Sequence, residues 1–161
     1  MKTATVKELK EELEDKSHQE LITLCLRLSK FKKENKELLT YLLFDSENEE
    51  NYINTIKLEV EQNFSAVNTT SYYYIKKSVR KILRLIKKYI RYSTNKETEV
   101  ELLLFFCKQM TLLKPDIKKS KVLTNIYNRE LISIKKKITL LHEDLQYDYN
   151  LELEEMLTKV D

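Results

Sequence analysis

The sequence predicts an all-α protein, and three observations carry that expectation. Its 161 residues include no glycine and one proline. Sheet proteins need glycine at primed hairpin turns and bulges, and α/β nucleotide folds need it where backbone approaches phosphate. Second, Ser or Thr followed three residues later by Glu, the reciprocal helix-start pattern, recurs at Thr5/Glu8, Ser17/Glu20, Ser46/Glu49 and Thr94/Glu97. Third, the apolar residues between these starts return at intervals of about 3 and 4. The architecture expected is a single-domain irregular helical bundle or helical-hairpin array of seven to eight helices, in which residues 1–45 could form an N-terminal helical subdomain.

In chain order, the capping pairs place helices near 6–15, 18–30, 47–67 and 95–113. Between the second and third, ENKELLTYLLF predicts a helix near 34–44 that stops before Asp45-Ser46. The polar run Asn68-Thr69-Thr70-Ser71 breaks the chain before a helix over 72–92. Lys114-Pro115-Asp116 makes the next break, because proline disfavours helix in the residue before it. A long helix over 117–146 and a short acidic one near 150–159 complete the chain. Helices 18–30 and 95–113 are apolar almost all round and are expected at the centre. Helix 47–67 carries a narrow stripe of Tyr52, Ile53, Ile56, Val60 and Phe64, suited to packing on one side. In the long C-terminal helix, Tyr127, Leu131, Ile134, Ile138, Leu141 and Leu145 are spaced 4, 3, 4, 3, 4. That is a heptad seam of under three heptads, readable as an intramolecular bundle contact or as a self-association seam.

A mass of 19.4 kDa with 42% hydrophobic residues suffices for a core, and the 34% charged residues argue against a membrane protein. The longest apolar run, Leu102 to Cys107, has six residues, where roughly 20 are needed to span a bilayer. The opening MKTATVKELKEELED is polar and has no apolar signal segment. Cys25 and Cys107 lie far apart in apolar sequence without CxxC spacing, which points to packed free thiols in a reducing, cytoplasmic setting.

The formal net charge of +3 conceals strong segregation. Residues 1–70 carry a net −4, residues 71–92 a net +8 with no acidic side chain, residues 116–141 a net +5 and residues 142–161 a net −6. At 100° per residue, Ile75, Val79, Ile82, Leu83, Ile86 and Ile90 share one face of helix 72–92. Lys76, Lys77, Arg80, Lys81, Arg84, Lys87, Lys88 and Arg91 take the opposite one. The result is a cationic strip about 24 Å long at 1.5 Å per residue. It is a solvated face neutralised by the acidic helices, or a footprint for phosphate backbone or for an acidic protein. Tyr72, Tyr73 and Tyr74 precede it; they are expected to pack their rings on the core, with base stacking as the alternative.

Little here suggests catalysis. His18 and His142 are the two histidines, and neither belongs to a zinc pattern or to Glu-x-x-His. Apolar surroundings at both cysteines suppress thiolate formation. No cofactor, metal, membrane or small-molecule substrate is implied.

Val6-Lys7-Glu8-Leu9-Lys10-Glu11-Glu12-Leu13 resembles the VxELKxxL first helix of the SAP motif. That motif turns on a glycine where Asp15-Lys16-Ser17 stands, so its DNA binding is not carried over. The first 45 residues or so, with Ser17-His18-Gln19-Glu20-Leu21-Ile22, a Lys-rich link and a second apolar helix, are similar to small uncharacterised bacterial helical proteins. That resemblance implies a compact helical domain and no activity. The expected function is non-enzymatic: a protein-protein interaction or self-association module using the two long helices, meeting a protein partner or a second copy. The alternative is nonspecific nucleic-acid binding through the basic face of helix 72–92. A third class, an enzyme using His142 and nearby carboxylates, requires those groups to converge.

Overall fold

A computed structural model describes residues 1–158. They form eight α-helices and no strand: α1 Val6–Glu14, α2 His18–Phe31, α3 Lys33–Thr40, α4 Glu49–Ser65, α5 Tyr72–Ser93, α6 Lys96–Thr111, α7 Lys121–Ile138 and α8 Glu143–Thr158. A π-helical turn, Tyr41–Asp45, follows α3, and a 3-10 turn, Ile117–Lys119, precedes α7. The chain divides into two compact units, Met1–Phe44 and Asp45–Asp161.

In the first unit, both expected capping boxes form. Thr5 and Ser17 each accept a hydrogen bond from the backbone N–H three residues on, and Glu8 and Glu20 accept in return from the cap residues' N–H groups at 2.7 and 2.9 Å. Those donated protons hold both carboxyls below the usual range, the backbone bond contributing most. α2 and α3 pack against each other across an extended Lys32, and Asn35 Nδ2 donates to the Leu28 carbonyl at 2.9 Å. One expectation fails here. Helix 18–30 is not central, since neither α2 nor α3 has a single buried residue. Cys25, expected in a core, is exposed.

In the second unit, α6 is the centre, packed by α4, α5 and α7. Val100, Leu102, Leu103, Leu104, Phe106, Cys107 and Met110 are buried on its several faces. The stripe on α4 and the apolar face of α5 are buried as their periodicities require. Lysine–glutamate pairs link the helices around this core: Lys57–Glu101 joins α4 to α6, Lys87–Glu130 joins α5 to α7, and Lys137–Glu99 joins α7 to α6.

Two predicted starts are displaced by one or two residues. Asn48, not Ser46, caps α4, and Glu49 instead accepts from the hydroxyls of Ser93 and Thr98 across the bundle. Asn95 caps α6, while Thr94 ends α5 at φ 57°. That left-handed conformation is costly for a β-branched residue, and in a chain without glycine it falls to threonine. The predicted helix 117–146 is also divided. Asp116 caps the short 3-10 turn, so α7 starts only at Lys121. At the other end the Thr139 hydroxyl donates back to the Lys136 carbonyl, and α7 stops at Ile138. The acidic helix begins early, at Glu143, and its expected end at 159 lies outside the described residues.

Candidate nucleic-acid interface

The geometry of α5 follows from its sequence. With Ile75, Val79, Ile82, Leu83, Ile86 and Ile90 buried, the lysines and arginines between them have only the outer side to occupy. Six of the eight sequence-predicted cations, Lys76, Lys77, Arg80, Arg84, Lys87 and Arg91, line one open groove of about 800 Å³. Tyr73 and Leu83 complete the α5 wall, and Arg129 enters from α7. Seven of the nine lining residues are therefore cationic and none is acidic. Lys81 and Lys88 lie outside this lining; the Lys88 ammonium stands 4.9 Å from the Tyr89 ring centroid.

Beneath the groove sits Glu130, a carboxylate 1% exposed. Lys87 Nζ lies 2.9 Å from its Oε1 and Arg129 Nε 3.4 Å from the same oxygen. Among the described residues, Lys76, Lys77, Arg80, Arg84 and Arg91 stand in no ion pair. The acidic helix α8 does not neutralise them. Glu152 pairs with Lys108 of α6, and the Tyr149 hydroxyl donates to Glu97 of α6 at 3.2 Å. Burial, reinforced by Glu101 and Glu97, pushes the Tyr149 phenol above its ordinary range.

Sequence reasoning missed Arg129 and Glu130. Arg129 joins the site only through the α5–α7 juxtaposition, which no local pattern announces. Glu130 did leave a signal: it lies three residues after Tyr127 and four before Ile134, a charge set into an apolar seam. Of that seam, Tyr127, Leu131, Ile134 and Ile138 are buried within the chain, while Leu141 and Leu145 fall past the end of α7 and are half-buried. The tyrosines before α5 divide. Tyr72 donates to the Asp116 carbonyl at 2.8 Å, but Tyr73 and Tyr74 are exposed, their ring centroids 5.3 Å apart and nearly perpendicular.

Elsewhere the chemistry is sparse. Burial, with Glu130 nearby, pushes the Cys107 thiol up to about 12, and burial likewise raises the Tyr127 phenol. Neither is a nucleophile at neutral pH. His142 is exposed, with Nδ1 3.7 Å from an Asp144 carboxylate that is itself exposed. No cluster of three or more His, Cys, Asp or Glu able to hold a metal ion occurs among the described residues. A hollow of about 630 Å³ between the end of α6, the 3-10 turn and α8 mixes Lys108, Lys114 and Lys118 with Asp116, Glu152 and Glu155, so it has no single-sign field. No described helix is long and apolar enough to cross a membrane. Comparison with protein-family models, curated proteins and solved structures finds no match to this chain.

Proposed function

We propose that this chain is a non-catalytic binding protein whose α5–α7 groove holds the phosphate backbone of a nucleic-acid duplex. The observation carrying this reading is the groove lining of seven cations and no carboxylate, five of the cations being outside any ion pair among the described residues. Lys77, Arg80, Arg84, Lys87 and Arg91 are spaced 3, 4, 3, 4, which sets their Cα atoms on one line at steps of about 5 Å. A duplex presents charge continuously, about one per 1.7 Å of axis, and so suits a line of cations along its length. Contacts of this kind position a protein without reading sequence. A single-strand site would need successive aromatic platforms, and Tyr73 alone reaches the groove.

An acidic protein partner, one form of the interaction module expected from the sequence, would use the same cations. It ranks second because the groove's charge is linear and uninterrupted, whereas protein surfaces intersperse acids with other groups. Fluorescence anisotropy with a labelled duplex tests the reading. If all five free cations meet phosphates, affinity falls about 500-fold between roughly 50 and 200 mM salt. Binding that ignores salt, or no binding at the lower concentration, overturns it.

A further inference from the structure

The first unit is built differently from a folded core. α1 is a nine-residue helix with Val6, Leu9 and Leu13 on one stripe, and all three are exposed. Leu24, Leu28 and Phe31 share a face of α2 and are exposed at 38%, 61% and 76%. Helices shorter than about 12–15 residues are marginal in water unless an apolar face is covered. Units near 40 residues generally need a disulfide, a metal or oligomerisation to hold together. Here the lone thiol of the unit is free, and no metal cluster occurs among the described residues.

We infer that residues 1–44 form a self-association module whose occupant is the same module of a second copy. Charge chooses that occupant. Residues 1–15 have three basic against five acidic side chains, net −2, and residues 16–44 have six against three, net +3, with Lys33 paired to Glu37. One module thus carries both halves of a complementary pair, as a two-fold interface requires, where the same patch meets itself in reverse. In such a pair the α1 stripe of one copy covers Leu24, Leu28 and Phe31 of the other, and acidic α1 faces the basic stretch from Arg27 to Lys36. A membrane surface would favour an unmixed cationic flank, and the acids of α1 oppose that. The inference moves self-association from the α7 seam to the N-terminal unit and does not depend on the groove.

Sedimentation equilibrium of the full chain from low micromolar to several hundred micromolar tests it. The expected result is a monomer–dimer equilibrium that weakens at least tenfold in Leu28→Glu/Phe31→Glu and is unchanged in the control Leu58→Glu, an exposed leucine of the second unit. Both L28E and F31E replace exposed residues, and circular dichroism checks that helix content is kept. A chain monomeric throughout overturns the inference. A dimer that survives L28E/F31E overturns the assignment to this module, as does a monomer that co-floats with anionic phosphatidylserine vesicles.

Discussion

Two helical regions of similar composition meet water in opposite ways. Residues 1–44 hold twelve of the twenty large apolar side chains that are exposed among the described residues, and Tyr41 is their one buried apolar residue. The far longer second unit exposes eight and buries the rest of the core around α6. α2 and α6 are both apolar nearly all round, yet α6 is enclosed by three helices and α2 packs only against α3 among its well-packed neighbours. Hydrophobic content therefore did not decide burial. The number of amphipathic helices available to surround each segment did, and residues 1–44 have too few.

Substitution by alanine separates the two regions most strongly. Phe106 is fully buried with its ring centroid 5.7 Å from that of Phe64, the two rings tilted at 54°, so Phe106→Ala is expected to lower stability in urea by about 3–5 kcal/mol. Leu24→Ala, at a dilution where the chain is monomeric, is expected to change it by less than about 0.5 kcal/mol. Comparable losses at both positions would mean that α2 is part of a buried core after all.

Removal of the buried counter-charge gives a smaller, more discriminating effect. Glu130→Gln weakens the bonds from Lys87 and Arg129 and is expected to cost about 2 kcal/mol in chemical denaturation. It also frees two groove cations, so duplex affinity should hold or rise while stability falls. Parallel loss of both would make Glu130 a scaffold on which groove shape depends.

The regions should also respond at opposite ends of the pH scale. In the first unit, Glu8 and Glu20 have depressed values, so their capping contribution is complete above about 4.5 and is lost as pH falls through the folded-state values. In the second, Cys107, Tyr127 and Tyr149 are raised, so the native state keeps protons the unfolded chain releases. Stability there is complete below about 9 and declines as pH climbs toward about 12. Helicity followed by residue-resolved NMR should show the starts of α1 and α2 fraying as the caps protonate in acid, and the bundle around Cys107, Tyr127 and Tyr149 loosening in alkali. Fraying of α1 and α2 in step with the bundle in alkali would contradict the division.

Much of this was legible in the sequence. The absence of glycine, the boxes at Thr5 and Ser17, and the buried and basic faces of α5 could each be read locally, because each is fixed within a few helical turns. What failed was non-local. Glu49 was drawn from its expected cap by Ser93 and Thr98, hydroxyls more than forty residues away. α2 looked central because its apolar content says nothing about how many neighbours will arrive. The line of cations was visible, but its conversion into a groove required Arg129 from α7.

The central claim, that the groove cations meet phosphates, is tested most directly by the salt dependence of duplex binding in Lys77→Ala/Arg80→Ala/Arg84→Ala, three cations outside any ion pair among the described residues, beside the unaltered chain. Each lost phosphate contact removes about 0.9 from the slope of log affinity against log salt. The variant's slope should therefore be shallower by about 2.7, with its thermal midpoint unchanged. An equal slope in both proteins would place any phosphate contacts elsewhere on the molecule and contradict the account.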